Sequence, residues 1–234
     1  MKGVNDQSWS SISETTVCVI PVYNEARVLA TVLDSVLELF PNVMCIDDGS
    51  SDSSDAIARK RGVRVVRHAM NVGQGGALQT AFSILYRENR FKYVLTFDAD
   101  GQHSAIDAQR LVQELDSSSV DVVFATRFDG KHEHLVPLSK RVILRSVVWF
   151  NRVITDVDLS DTHNGLRAIR LSALPSLQIT HFGMAHATEL VSRVLQADLR
   201  YSEVPVRIEY SNYSRSKGQS VLNSLNILLD YLWR

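Results

Sequence analysis

The stretch "FDADGQH", residues 97 to 103, contains the side chains best suited to chemistry. Asp98 and Asp100 stand one residue apart, directly after the apolar run "YVLT", where a β-strand would end. Where a strand turns into a loop, two such carboxylates can reach one hard cation, and Gln102 can add a neutral oxygen. A Mg²⁺ or Mn²⁺ ion held there neutralises a diphosphate leaving group. Taken alone, the pair also suits a turn or a cap without a metal.

Three further polar or glycine-rich segments follow apolar runs in the same way. They are "PVYNE" (21 to 25), "DDGSSD" (47 to 52) and "NVGQGGA" (71 to 77). Each segment alone is as compatible with a simple turn as with a ligand site. The carboxyl ends of parallel strands meet at one edge of a sheet, which is where ligands bind in open α/β folds. Together the four segments therefore predict a ligand site at that edge.

Short β-branched runs alternate with amphipathic stretches along the first 127 residues. This alternation predicts right-handed crossovers and a mostly parallel sheet flanked by helices, in a single Rossmann-like α/β domain. Strands are predicted at 17–23, 42–47, 63–68, 92–98 and 120–127, with helices between them. Farther along, the patterns predict a helix over about 140–155, a helix around "HATELVSRVLQA" and a strand in "RYSEVPVRI".

Composition narrows the class of protein and its location. The chain has 234 residues and 45% hydrophobic content, which suits one large domain, and its formal net charge of −1 argues against a nucleic-acid binder. Cys18 and Cys45 lie in apolar runs, as buried thiols of a reducing compartment do. The polar N-terminus, taken as flexible over residues 1–15, has no apolar leader segment. We therefore expect a cytoplasmic protein.

Two other enzyme classes share part of this pattern. A dinucleotide-binding fingerprint should follow the first strand, whereas "NVGQGGA" follows the third. A phosphatase with an aspartate nucleophile also places paired aspartates after a strand, but it requires Thr or Val where Gln102 stands. Both alternatives are thus disfavoured, the phosphatase less strongly.

The segments "PVYNE", "IDDGSSD", "NVGQGGA", "TFDADGQH" and "ATR", in this order, resemble the family 2 inverting glycosyltransferases of GT-A fold. The resemblance is to the subgroup of dolichol-phosphate mannosyltransferase and bacterial polyprenyl-phosphate glycosyltransferases, and it covers about residues 15 to 215. It implies a nucleotide-sugar-binding half at 16–127 and an acceptor half at 128–215. It also implies transfer of a hexose from a UDP- or GDP-sugar to a polyprenyl-linked or other glycan or lipid acceptor.

The resemblance assigns roles to residues that match the family motifs. The metal ligands would be Asp98, Asp100 and Gln102, with Asp98 also on the nucleotide sugar. The donor-binding residues would be Pro21, Tyr23, Glu25, Asp47, Asp48, Asn71, Gly73, Arg215 and Lys217. The catalytic residues would be Arg127 near a phosphate, Asp161 in "DTHNGLRAIR", and Glu189 as the carboxylate on the acceptor side. His163, Asn164 and Leu166 depart from the family pattern, which leaves the acceptor open.

The C-terminal residues 216–234 predict an amphipathic helix with leucines on one face and a Tyr, Trp and Arg at its end. Such a helix suits contact with the inner face of a membrane or with a second copy in a homodimer.

A sugar hydroxyl as acceptor would require a general base, whereas a phosphate acceptor would not. A sugar-nucleotide-binding module without catalysis is a further alternative.

Overall fold

The computed structural model describes residues 6–127, 161, 164–183 and 185–208. Within them the helices are α1 (Asp6–Glu14), α2 (Leu29–Leu37), α3 (Ser54–Lys60), α4 (Gln74–Glu88), α5 (Ala105–Ser117) and α6 (His186–Gln196). A short 3-10 helix spans Leu171–Ser176. The strands are β1 (Thr16–Val22), β2 (Val43–Asp47), β3 (Arg64–Arg67), β4 (Tyr93–Thr96), β5 (Val122–Thr126), β6 (Arg167–Arg170) and β7 (Tyr201–Pro205).

The strands of this part of the chain form one sheet in the order β3-β2-β1-β4-β6-β5-β7. Strand β6 runs antiparallel to both of its neighbours, β4 and β5, whereas the other pairs are parallel. The prediction of an α/β domain with a mostly parallel sheet flanked by helices is therefore confirmed.

Alternation along the buried strands supplies a core on each face of the sheet. In β1, Cys18 and Ile20 face one core while Val17 and Val19 face the other, because successive side chains of a strand point to opposite sides. The first core is completed by α1, α2, α3 and α5, and the second by α4, α6 and the 3-10 helix. The sheet is thus sandwiched between two helical layers, and its edge strands β3 and β7 are partly exposed.

Two elements differ from the prediction. Residues 6–14 form α1, so the expectation of a flexible stretch over 1–15 is wrong for these residues. Trp9 and Ile12 pack on the first core, and the Trp9 ring meets Phe40 edge-on with centroids 5.4 Å apart, which gives this polar segment an apolar contact. Strand β6 was not predicted. The predicted helices at 140–155 and 216–234 lie outside the described residues.

Candidate active site

Asp98 follows β4 at the carboxyl edge of the sheet and is held from two sides. Its Oδ1 accepts a hydrogen bond from Gln74 Nε2 (2.9 Å), at the start of α4, and its Oδ2 lies 3.1 Å from His103 Nε2. Partial burial by itself would raise the pKa of Asp98, but the hydrogen bond from His103 and the charges of His103, Arg167 and His186 lower it. Asp98 is therefore kept as a carboxylate.

Asp100 lies in the loop after Asp98 and bonds to Gln102. Its Oδ1 accepts from the backbone N–H of Gln102 (3.0 Å) and its Oδ2 from Gln102 Nε2 (2.6 Å). Burial and the nearby charge of Asp98 raise the pKa of Asp100. The structure thus brings all three predicted metal ligands together, and two neighbouring carboxylates suit a divalent cation. Among the described residues, no group of three or more His, Cys, Asp or Glu side chains could hold a metal by itself.

The segments that follow β1 and β2 are joined by hydrogen bonds. The backbone N–H groups of Asn24, Glu25 and Ala26 donate to Ser50 Oγ, Ser54 Oγ and Asp52 Oδ2, at distances of 3.0, 2.9 and 3.0 Å. Tyr23 beside this junction is 47% exposed, while Pro21 lies within β1 and is half-buried. The two predicted nucleoside-binding segments therefore form one surface, with the Tyr23 ring accessible.

Asp47 and Asp48, at the end of β2, are both buried and already bonded within the protein. Asp47 accepts from the N–H of Ser50 (3.0 Å) and pairs with Arg67 Nε (3.2 Å).

The Asp48 carboxylate anchors the loop before α4. It accepts from the backbone N–H groups of Val72 (3.0 Å) and Gly73 (2.8 Å) and from His68 Nδ1 (2.7 Å), whose other ring nitrogen lies 3.0 Å from Thr80 Oγ1. The structure therefore brings Asp48 and Gly73 together as predicted, with His68 as a partner that the motifs did not reveal. Asn71 in the same loop is exposed.

The glycines of "NVGQGGA" leave room for another segment of the chain, residues 180–183, which we call the strap. Gly73 has φ +100, and a Cβ on it would lie 2.2 Å from Phe182 O; a Cβ on Gly75 would lie 2.4 Å from His181 O. The Gly75 N–H donates to Phe182 O (2.9 Å). These glycines are therefore required by backbone-to-backbone packing at the start of α4.

Arg127 and Asp161 form an ion pair with two parallel hydrogen bonds. Arg127 Nε and Nη2 lie 2.6 and 2.8 Å from the two Asp161 oxygens, and the Arg127 N–H also donates to Asp161 (3.2 Å). Asp161 is buried, whereas the Arg127 side chain keeps 18% of its surface exposed. This geometry fixes the guanidinium group at the end of β5, so the two predicted catalytic residues lie together.

The third predicted catalytic residue, Glu189, lies in the first turn of α6 and is buried. Its oxygens accept from the backbone N–H groups of Thr180 (2.9 Å) and His181 (2.8 Å) in the strap. Burial would raise the pKa of Glu189, but the hydrogen bonds from Thr180 and His181 lower it. Glu189 is thus joined to the Asp98 region through the strap.

Arg167 is a functional candidate to which no separate role was assigned from the sequence. It is 1% exposed, and burial lowers its pKa to about 10, although the charges of Asp98 and Asp161 act in the opposite direction. Arg167 begins β6, and its buried positive charge interacts with both Asp98 and Asp161. His163, Arg215 and Lys217 lie outside the described residues.

The order of the strands, with acidic groups at their carboxyl edge, is that of the GT-A fold. The same fold occurs in glucosyl-3-phosphoglycerate synthase from Mycobacterium tuberculosis, in a complex with Mn²⁺, UDP and phosphoglyceric acid. That structure superposes with a TM-score of 0.71 at 20% sequence identity, over 98% of this chain and 83% of the other.

The sequence comparisons identify the family. The model of glycosyl transferase family 2 matches residues 17–170, and the chain belongs to this family. An uncharacterized protein of Methanocaldococcus jannaschii is 30% identical over 97% of this chain and 95% of its own length. The UDP-N-acetylglucosamine–dolichyl-phosphate N-acetylglucosaminyltransferase of Methanococcus voltae is 27% identical, over 89% of this chain and 91% of its own length. The resemblance and the prediction of a glycosyltransferase are confirmed.

Proposed function

We propose that the chain transfers a hexose or hexose derivative from a UDP- or GDP-sugar to a polyprenyl phosphate, with inversion at the anomeric carbon. The observation that carries this proposal is the position of Asp98 against the start of α4, with Asp100 in the loop that follows it. The segments predicted to bind the nucleoside lie at the same edge of the sheet. The similarity to an enzyme named for a dolichyl phosphate acceptor supports the acceptor class.

The donor side follows from the groups at this edge. The surface of residues 23–26 and 50–54 would receive the nucleoside, with the exposed Tyr23 ring against the base. Asp98, Asp100 and Gln102 would hold Mg²⁺ or Mn²⁺, because their carboxylate and amide oxygens are the hard ligands that these ions prefer. The bound cation would neutralise the diphosphate as it leaves. Arg215 and Lys217 remain predicted contacts of the donor phosphates.

The acceptor side is built around Arg127. Its guanidinium group, oriented by Asp161, would attract the acceptor phosphate and hold its oxygen in line with the anomeric carbon. A phosphate is already an anion near neutral pH, so its attack requires no general base. Asp161 therefore acts in this proposal by fixing Arg127.

The location follows from the acceptor. A polyprenyl phosphate resides in a membrane, so the enzyme would act at the cytoplasmic face, with residues 216–234 in contact with lipid or in a homodimer. Among the described helices, none is long and apolar enough to cross a membrane.

The test is a transfer assay in detergent micelles. UDP-glucose, UDP-N-acetylglucosamine and GDP-mannose are each combined with undecaprenyl phosphate and Mn²⁺, and the lipid product is measured by mass spectrometry. We expect product with one donor, and Asp100→Asn should reduce the rate roughly 100-fold or more. Asp198→Asn makes the same change at an exposed turn and should retain the rate. Nucleotide binding without transfer would instead favour a non-catalytic module, and phosphate release from sugar phosphates a phosphatase.

A further inference from the structure

The carboxylate of Glu189 is surrounded by donors. It lies within hydrogen-bond or ion-pair distance of Thr180 N, Thr180 Oγ1, His181 N, His181 Nδ1 (3.2 Å) and Arg193 Nη2 (3.4 Å). A carboxylate offers about four lone-pair sites. These contacts therefore occupy the positions from which Glu189 would take a proton from a substrate.

The strap held by Glu189 lies directly against the first turn of α4. Phe182 O accepts from the Gly75 N–H (2.9 Å), and there is no space for a Cβ at Gly75 because His181 O would be 2.4 Å away. Gln74, the residue before Gly75, donates to Asp98 Oδ1 (2.9 Å). A continuous series of contacts therefore runs from Glu189 through the strap to the metal-side carboxylate.

We infer that Glu189 is a positioning residue, which holds the strap against α4 and thereby fixes Gln74 on Asp98. The inference deepens the proposed function and rests on it for the reaction that is assayed. The contacts themselves can be measured without any substrate.

The ionisation of Glu189 agrees with this role. A general base works best when its pKa is close to the working pH. The hydrogen bonds from the strap instead hold the pKa of Glu189 below its usual value, which keeps the carboxylate charged and makes it a weak base. A permanent charge is what an anchor for backbone N–H groups requires.

The first test measures amide hydrogen exchange by NMR in the protein alone. Each hydrogen bond to a charged group stabilises the closed state enough to slow local opening, and with it amide exchange, roughly 10- to 100-fold. In Glu189→Gln, the Gly75 amide should therefore exchange faster by about that factor. Thr180→Val removes one donor and should give a smaller increase in the same direction. Asp198→Asn, at the turn that follows α6, is the matched control and should leave the exchange rate unchanged.

The second test separates positioning from base catalysis. Calorimetry with UDP and with GDP, each with Mn²⁺, should show about five- to tenfold weaker binding to Glu189→Gln, because Asp98 is no longer held. The remaining transfer should keep the pH dependence of the wild type. A general base would give unchanged nucleotide binding, a loss of roughly 100- to 10,000-fold in kcat and loss of the ascending limb of the pH profile.

Several outcomes would overturn the inference: unchanged Gly75 exchange in both Glu189→Gln and Thr180→Val, unchanged nucleotide binding, or the pattern of a general base. If Glu189→Gln does not fold, the Gly75 exchange rate and the nucleotide affinity of Thr180→Val decide whether the inference holds. A wild-type protein that transfers no sugar contradicts the proposed function, whereas the exchange result still decides the role of Glu189.

Discussion

Gly165 lies against the carboxylate of Asp98, and replacing it with alanine tests whether this contact sets the position of the metal-side group. A Cβ at residue 165 would lie 2.1 Å from Asp98 Oδ2 and 2.3 Å from Oδ1, whereas ordinary contacts begin near 3.4 Å. The backbone of Gly165 cannot retreat easily, because its carbonyl accepts from Thr96 Oγ1 (2.6 Å). In Gly165→Ala the Asp98 carboxylate must therefore move by about 1 Å.

The size of the effect follows from the bonds that this movement breaks. The contacts from Gln74 (2.9 Å) and His103 (3.1 Å) would lengthen beyond hydrogen-bonding distance. Hydrogen bonds to charged groups contribute roughly 1.5–3 kcal/mol each, and water can replace part of them at the half-buried Asp98, so we expect a loss of about 2–4 kcal/mol. In a chain of this size that lowers Tm by roughly 5–12 °C. A misplacement of about 1 Å should also reduce turnover about 100-fold.

The assay compares Gly165→Ala with Gly183→Ala, where a new Cβ would have nothing within 4 Å. Thermal unfolding gives Tm, and calorimetry with UDP or GDP and Mn²⁺ gives the affinity. Gly183→Ala should match the wild type in both measurements. If Gly165→Ala also unfolds within about 1 °C of the wild type and binds the nucleotide equally well, the Gly165 contact does not position Asp98.

Three further changes have expected outcomes. His68→Leu removes the 2.7 Å contact to Asp48 and should weaken binding of UDP or GDP about fivefold, measured by calorimetry; equal affinity would contradict the role of Asp48 as a loop anchor. Because the pKa of Glu189 is lowered in the folded state, its stabilising contribution is full above the ordinary value of 4.5 and is lost as pH falls through the lower folded value. The difference in unfolding free energy between wild type and Glu189→Gln should therefore shrink below about pH 4 in urea titrations, and a constant difference would exclude this linkage. Trp9→Ala should cost about 2 kcal/mol through the lost contact with Phe40, and an unchanged urea midpoint would show that α1 adds no stability.

The location of the site could be predicted because strand ends are marked locally in the sequence. Asp98, Asp100 and Gln102 follow an apolar run, and the parallel arrangement that brings such ends together follows from the alternation of strands and helices. The fold class, and the edge of the sheet that carries the acidic groups, could therefore be predicted without knowledge of contacts between distant residues.

The partners of these side chains could not be predicted, because they come from distant parts of the chain. Gly73 was predicted to contact the nucleotide, but no sequence pattern indicated that Gly73 and Gly75 also pack against the backbone around Phe182, more than 100 residues later. The four residues "RAIR" of β6 are too short to show a period. Helix α1 depends on the contact of Trp9 with Phe40, which no local pattern reveals.

The antiparallel strand β6 has a consequence for the order in which the protein is synthesised and folds. It separates β4 from β5, and Gly165, two residues before β6, accepts a hydrogen bond from Thr96, which lies 69 positions earlier in the chain. Until residues 165–170 have left the ribosome, β4 exposes one unpaired edge and Asp98 lacks its contact with Gly165. Strand β5 then lacks both of its sheet partners in the described residues, because β7 is synthesised after β6. Closing so long a loop is slow compared with forming the local β1–β2 unit. A nascent chain that stalls between residues 127 and 165 therefore exposes strand edges that can pair with the strands of another chain.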